Sequence, residues 1–239
     1  MRRCRGGRRE MSEDPAQKRP SVVSIRAVVF DYGEVLCHPP TTQDMERMAA
    51  VLGIPTEIFR VLYSDRGRYD RGDVTAAEYW SKVASGAGVR VNDKTLEQLR
   101  DWDVQMWSSI DESMLDWIGE LRSLGLKTAI LSNMHSDMVA HVRRDFKWLS
   151  NFDCLVLSSE IHLIKPEPAI YQHCLRCLGV APEEVLFLDD RGANVRGAQA
   201  AGWNAIRVHS RTQLIQELEA LPFTPLPRAS TQCVAGPAE

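Results

Sequence analysis

Five apolar runs rich in β-branched residues recur along this chain and limit what it can fold into. They cover residues 25–30, 127–131, 153–157, 184–188 and 204–208. Such runs, without an alternating polar face, are typical of strands buried on both faces of a parallel sheet. From the second run onward these runs alternate with helical patterns, which cover residues 112–124, 138–146, 168–178, 194–201 and 212–220. The alternation predicts an α/β fold with a doubly wound parallel β-sheet, a Rossmann-like core with helices on both faces.

The interval between the first two runs, residues 31–126, is far longer than a crossover requires. A parallel connection with its helix needs roughly a dozen residues. This interval contains helical patterns at residues 43–51, 56–63, 75–84 and 94–106, and no convincing strand. We therefore expect a small all-helical cap domain, inserted after the first strand and lying over the strand ends.

These patterns predict a division of the chain into a core, a cap and two tails. The core domain takes residues 23–40 and 107–221, and the helical cap domain takes residues 41–106. Residues 1–22 mix glycine with charges of both signs and predict a disordered basic tail, while residues 222–239 predict a Pro/Ala-rich tail.

Composition limits which partners this chain can bind and in which compartment we expect it. The chain is 44% hydrophobic and 26% charged, and no apolar run approaches the roughly 18 residues of a membrane span. The basic N-terminus lacks interleaved aromatic residues and a following apolar stretch. We expect a cytoplasmic monomer or homodimer that binds neither nucleic acid nor membrane, with its six cysteines as reduced, mostly buried thiols.

Reactive side chains follow four of the predicted strands. In chain order these are Asp31, Ser132 with Asn133, Lys165, and Asp189 with Asp190. Because ligands bind at the carboxyl ends of parallel strands, these side chains should lie at one edge of the sheet. Together they can attack a phosphate, hold its oxygens, offset its charge and anchor a cation.

The four motifs resemble those of the haloacid dehalogenase (HAD) superfamily, and the resemblance covers about residues 25–220. The segments Ile-Lys-Pro-Glu-Pro-Ala-Ile-Tyr at 164–171 and Phe-Leu-Asp-Asp-Arg-Gly-Ala-Asn at 187–194 narrow it further. They are similar to the branch with a helical C1 cap that contains α-D-glucose-1-phosphate phosphatase and the phosphatase domain of soluble epoxide hydrolase.

The resemblance implies a Mg²⁺-dependent phosphomonoester hydrolase acting on a small phosphorylated metabolite, with a sugar phosphate such as glucose 1-phosphate favoured. Asp31 would form an aspartyl-phosphate, and Lys165 would offset charge as a second catalytic group. Ser132, Asn133 and Lys165 would bind the phosphate. The implied magnesium site takes Asp31, the Gly33 carbonyl and Asp190, and Asp189 and Asn194 would orient its waters and Lys165.

One position departs from the superfamily pattern. Most of its phosphatases carry a second Asp two residues after the nucleophile as general acid and base, and this chain has Gly33 there. Three readings follow: a phosphatase whose leaving group is easily expelled or protonated elsewhere, a metal-independent 2-haloacid dehalogenase, or a non-catalytic protein that binds a phosphate ligand. Glu34, His38 and His135 are the candidates to supply a proton.

Substrate choice should depend on the cap, because the four motifs contact only phosphate and metal. The polar stretch 66–75 is predicted to be a loop before a helix that Asp73 or Thr75 caps. Within it, Arg68, Tyr69 and Arg71 are the specificity candidates. The cap aromatics fall at helical spacings, which favours packing over a role in stacking on a ligand; they are Tyr79, Trp80, Trp102 and Trp107.

Overall fold

A parallel five-stranded sheet forms the centre of the protein, for which the computed structural model describes residues 24–221. Its strands are β1 (Ala27–Phe30), β2 (Lys127–Ser132), β3 (Cys154–Leu157), β4 (Val185–Asp189) and β5 (Asn204–Arg207). They lie in the order β3-β2-β1-β4-β5, and all four pairings are parallel. The predicted doubly wound α/β fold is confirmed, and β1, whose end carries Asp31, lies at its centre.

Helices cover both faces of this sheet. On one face lie α6 (Glu112–Ser123), α7 (Ser136–Asp145) and α11 (Arg211–Glu219), and on the other α9 (Pro168–Leu178) and α10 (Gly192–Ala200). Each face holds its own apolar cluster, because alternate side chains of every strand point to opposite sides. Val28 and Phe30 of β1 belong to one cluster, and Ala27 and Val29 belong to the other.

Five helices occupy the interval between β1 and α6. They are α1 (Thr42–Val51), α2 (Thr56–Ser64), α3 (Gly67–Arg71), α4 (Ala76–Gly86) and α5 (Asp93–Met106). Their apolar faces form a third cluster around buried residues such as Phe59, Trp80 and Leu99. Its members also include Tyr79 and, partly buried, Trp102 and Trp107. The inserted unit is helical as predicted, while the exact bounds of the domains stay a prediction.

The stretch 66–75 differs from its predicted loop conformation. It contains the five-residue helix α3, which ends at Gly72 in a left-handed conformation with φ of +83°. A Cβ at residue 72 would lie 2.9 Å from the backbone oxygen of Ser159 in the four-residue helix α8 (Ser158–Ile161). Only glycine allows both the backbone conformation and this close approach. Thr75 caps α4 through a capping box with Glu78, as one of the two predicted alternatives.

The cysteine prediction needs a correction. Cys154 of β3 and Cys177 of α9 form a disulfide, whereas a reduced state was expected for all. The two residues are 23 apart in sequence and meet because α9 packs back on β3, which no local spacing pattern reveals. Cys37 and Cys174 are free and buried, and Cys4 and Cys233 lie outside the described residues.

The two predicted tails also lie outside the described residues. Among the helices of residues 24–221, none has the length and apolar character needed to cross a membrane. Short 3₁₀ turns at Lys147–Asn151 and Pro182–Glu184 complete the described elements.

Candidate active site

The carboxyl ends of the central strands open into a cavity of about 410 Å³ between the core and the cap helices. Asp31 follows β1 directly, and its backbone N–H donates to Leu188 O at 2.8 Å, which ties this strand end to β4. The structure brings most of the predicted site residues together on the wall of the cavity: Asp31, Gly33, Ser132, Asn133, Lys165, Asp190 and Asn194. Asp189 lies just behind them, fully buried.

Lys165 joins the nucleophile candidate to the diacid. Its buried Nζ lies 2.9 Å from Asp31 Oδ1 and 2.7 Å from Asp189 Oδ2. Burial alone would lower the pKa of Lys165, but the charges of Asp189 and Asp31 outweigh burial and raise it. A permanent positive charge therefore lies against Asp31.

Asn133 holds this lysine in place. Its side-chain Oδ1 accepts from Lys165 N at 2.8 Å, and its Nδ2 donates to Lys165 O at 3.0 Å. The peptide bond between Lys165 and Pro166 is cis. Because both polar ends of the Asn133 amide form hydrogen bonds with the backbone of Lys165, this side chain positions the loop that carries Lys165.

The two acids of the diacid have different surroundings. Asp189 Oδ1 accepts from Arg191 N at 2.8 Å and Asn194 Nδ2 at 3.0 Å, and its Oδ2 accepts from Asn194 at 3.0 Å and from Lys165. Both carboxylate oxygens of Asp189 therefore accept hydrogen bonds from other residues of the protein. Asp190 is only partly buried and lines the cavity.

Negative charge is concentrated at this edge. Carboxylate oxygens of Asp31, Asp189 and Asp190 lie within 4.8 Å of one another. Burial raises the pKa of Asp31 to about 6 despite the charge of Lys165. Burial and the charges of Asp31 and Asp189 raise the pKa of Asp190 to about 7. Clustered hard oxygen donors with more acids than lysines fit a divalent cation such as Mg²⁺, and Asp31 and Asp190 have the oxygens to hold it.

The space at Gly33 is shared with the cap. A Cβ on Gly33 would lie 3.4 Å from the Trp107 ring. That ring is held by its Nε1, which donates to the Tyr63 hydroxyl at 2.9 Å, while the Tyr32 hydroxyl donates to Trp107 O at 2.5 Å. The indole therefore lies in van der Waals contact with the position where most of the superfamily's phosphatases carry their acid and base.

Two of the three candidate proton donors line the cavity of Asp31, namely Glu34 and His135. Glu34 lines the cavity of Asp31 and is exposed, with a left-handed φ of 57°. His38 lines a neighbouring cavity of about 450 Å³ and is not among the residues around Asp31. His135 is fully buried, which lowers its pKa to about 3 and keeps its ring neutral. Of the three, Glu34 alone presents an exposed acid to the cavity.

The predicted specificity residues do not line this cavity. Arg68 is exposed, and Arg71 pairs with Glu167 and Asp73. Tyr69 is buried and stacks on Tyr79 at 4.5 Å and on His135 at 4.3 Å. These positions differ from the expectation because residues 67–71 form a helical turn packed against the core, not an open loop.

Other cap residues line the cavity instead. They are Arg60, Tyr63 and Ser64 of α2, with Arg66 and Asp70 beyond it and Met45 of α1 before it. The first three fall at helical spacings of three and four, so one face of the predicted helix 56–63 turns towards the ligand space. That periodicity was the signal available in the sequence.

Arg66 belongs to a charge network between the cap and the core. Its guanidinium donates to both Asp103 oxygens at 3.2 and 3.3 Å and to Asp70 at 3.1 Å. Asp103 is fully buried in α5, and its Oδ2 lies 3.3 Å from His135 Nε2. Burial would raise the pKa of Asp103, but the charge of Arg66 and its other neighbours hold it below the usual range.

Comparisons with known proteins agree with this fold. A family model described as haloacid dehalogenase-like hydrolase matches residues 25–202. Bifunctional epoxide hydrolase 2 of Mus musculus is 26% identical over 227 residues, which cover 87% of this chain and 40% of that protein. The chain thus spans well under half the length of this relative.

Two further proteins are similar to this chain. (S)-2-haloacid dehalogenase 4A of Burkholderia cepacia is 26% identical, over 79% of this chain and 84% of its own. A HAD family enzyme from Bacteroides thetaiotaomicron, solved in complex with magnesium and inorganic phosphate, has a TM-score of 0.63 and 24% identity. That match covers 77% of this chain and 94% of the other, and it shows the shared fold.

Proposed function

Since this chain belongs to the haloacid dehalogenase-like hydrolase family and is a hydrolase, we propose that it is a Mg²⁺-dependent phosphomonoester hydrolase. The proposed substrate is a small phosphorylated metabolite, with sugar phosphates such as glucose 1-phosphate favoured. A cavity of about 410 Å³ is in keeping with such a ligand, since small-molecule pockets typically occupy about 300–1,000 Å³.

Asp31 is the proposed nucleophile. Its Oδ1 accepts from Tyr32 N at 2.7 Å and lies against Lys165, so the carboxylate is fixed in orientation. The Asp31 carboxylate attacks phosphorus, the ester P–O bond breaks, and an aspartyl-phosphate forms while the leaving alkoxide takes a proton from solvent and departs as the alcohol. Water then attacks the same phosphorus, which releases phosphate and restores the carboxylate.

The surrounding residues stabilise the charge that this reaction brings together. Ser132, which lines the cavity with Asp31, would donate to a phosphoryl oxygen, and Lys165 would offset charge at the nucleophile. Held by Asp31, Asp190 and the Gly33 carbonyl, Mg²⁺ would supply further positive charge to the phosphoryl oxygens. Asp189 and Asn194 keep Lys165 and the diacid loop in position.

One observation carries this proposal: Asp190 lies in the cavity beside Asp31, and within residues 24–221 Lys165 forms ion pairs with Asp31 and Asp189 but not with Asp190. Attack on a carbon–halogen bond by this family's route uses no metal, so a dehalogenase has no use for this extra acid. A phosphatase uses it to hold a cation.

A phosphate-release screen over phosphorylated metabolites tests the proposal. We expect release with Mg²⁺, loss of release with EDTA, and restoration on adding Mg²⁺ back. Asp31→Asn, which keeps the side-chain shape, should lower turnover at least about 10³-fold because it removes the nucleophile. Exposed Asp116→Asn serves as the control and should keep full activity. Absence of release from every substrate would reject the phosphatase proposal.

Gly33 favours a second candidate, a metal-independent 2-haloacid dehalogenase. Displacement of halide needs no proton donor to the leaving group, and (S)-2-haloacid dehalogenase 4A is among the relatives. Chloride release from 2-chloropropionate in EDTA would decide for this function. Phosphate binding without release of either product would indicate a binding protein.

A further inference from the structure

We propose that Arg60 binds a second anionic group of the substrate, so that the enzyme prefers phosphomonoesters that also carry a carboxylate or a second phosphate. This inference rests on the proposed phosphatase function and, within its substrate class, ranks doubly anionic phosphomonoesters above neutral sugar phosphates such as glucose 1-phosphate. It assigns specificity to α2, and not to the 66–75 stretch.

The position of Arg60 supports this role. Arg60 lines the cavity from the cap side, while Asp31, Ser132 and Lys165 line it from the core side. Arg60 is exposed, and Ser64 follows it by one helical turn and lines the same cavity. A small substrate whose phosphate lies at Asp31 would therefore have its remaining part facing α2.

Ion pairing and position distinguish Arg60 from the other two arginines of the cavity wall. Arg66 is paired with Asp103 and Asp70, both of them buried. Arg191 lines the cavity from the core side, where its backbone N–H donates to Asp189, whereas Arg60 lines it from the cap side. Within residues 24–221, no carboxylate lies at ion-pair distance from Arg60. Its planar guanidinium is free to bind carboxylate or phosphate oxygens with two parallel hydrogen bonds.

The rest of the wall fits the organic part of such a substrate. Met45, Met138 and Trp107 contribute apolar surface to the same cavity. Methionine side chains are flexible and adapt to ligands of different shape. The cavity wall thus combines polar side chains of the core around Asp31, apolar side chains and the guanidinium of Arg60 from the cap, which suits a short molecule with two anionic groups.

Matched substrate pairs test this inference. Each pair shares a carbon chain and differs in the group distant from the phosphate: 3-phosphoglycerate against glycerol 3-phosphate, 6-phosphogluconate against sorbitol 6-phosphate, and fructose 1,6-bisphosphate against fructose 1-phosphate. The first two pairs test a carboxylate and the third a second phosphate. The wild type should show a higher kcat/KM for the anionic member of at least one pair.

Arg60→Ala should lower that preference about tenfold, as expected for one hydrogen-bonded ion pair at a partly hydrated site. The loss should appear in KM for the anionic member and leave the neutral member unchanged. Arg60→Lys should retain part of the preference. Arg68→Ala removes an exposed cap arginine outside the cavity and should leave every ratio at its wild-type value.

Two kinds of failure are distinguishable. If p-nitrophenyl phosphate and all pair members release no phosphate, the proposed function itself is overturned, and this inference with it. If phosphate is released but the wild type prefers the neutral members, or Arg60→Ala leaves the ratios unchanged, the role of Arg60 is overturned and the phosphatase function stands.

Discussion

At residue 33 the nucleophile loop has a glycine beside the indole of Trp107. Its φ lies outside the left-handed region, and an added Cβ would meet the indole at 3.4 Å, an ordinary van der Waals distance. The backbone at this position therefore accepts a side chain. Chemistry, and not steric exclusion, distinguishes Gly33 from the aspartate found there in most phosphatases of the superfamily.

Gly33→Asp should raise kcat for alkyl phosphates such as glycerol 3-phosphate by at least about tenfold, because a positioned acid typically contributes 10²–10⁴-fold. Turnover of p-nitrophenyl phosphate, whose leaving group needs no proton, should change little. Gly33→Asn has the same size without the acid and controls for crowding against Trp107. An unchanged rate on alkyl phosphates would show that another group, with Glu34 the first to examine, already supplies the proton.

At the scale of elements, the cap rests on the core through short helices and buried charges. Ser158 of α8 donates to Asp70 O at the end of α3, and the Tyr69 hydroxyl donates to Asp137 of α7 at 3.3 Å. Asp103 of α5 lies against His135, the N-cap residue of α7. Elements too short to be stable alone thus form where cap and core meet, since packing stabilises what local propensity does not.

Asp103→Asn tests whether the buried charges between cap and core stabilise the fold. It removes the buried charge that offsets Arg66, and breaking a buried pair in this way costs about 3 kcal/mol or more in free energy of unfolding. Urea denaturation of the metal-free protein measures the change. Asp101→Asn, exposed on the same helix and paired within residues 24–221 with Arg100 alone, should change stability by less than about 0.5 kcal/mol. Equal changes in unfolding free energy for the two variants would contradict a stabilising role for these buried charges.

At the scale of the whole molecule, one buried histidine links stability to pH. Burial lowers the pKa of His135 to about 3 from its ordinary value of 6.5, so the folded protein holds this ring neutral. Below pH 6.5 His135 binds a proton in the unfolded chain, whereas in the folded protein it stays neutral until the pH approaches 3. This contribution to stability is therefore fully present above pH 6.5 and is lost as pH falls towards 3.

His135→Asn should remove that pH dependence while keeping a good helix cap, because asparagine is a favoured N-cap residue. Between pH 7 and pH 5 the wild type should lose about 2 kcal/mol more unfolding free energy than the variant, at 1.36 kcal/mol per pKa unit. Urea unfolding at the two pH values measures this difference. The idea fails if both proteins lose the same amount.

Much of the site was predictable because its residues follow strands directly. A buried apolar run marks a strand locally, and the parallel arrangement brings the ends of β1, β2 and β4 to one edge. Asp31, Ser132 and Asp190 were found in this way. Lys165 follows β3 at a greater distance along the chain, and it lies beside Asp31 at the edge that the same reasoning predicts.

The sequence by itself determined the α/β class, the helical insertion and the acidic edge, because periodicity and strand ends are local properties. Tertiary structure alone decided which partners distant segments bring to each side chain. It shows that both oxygens of Asp189 have partners while Asp190 faces the cavity, and that Cys154 meets Cys177. It also shows that Arg66 is paired, whereas Arg60 has no ion pair with any residue that the structure describes. Those outcomes depend on how cap and core pack, and residue spacing along the chain does not encode that packing in a readable form.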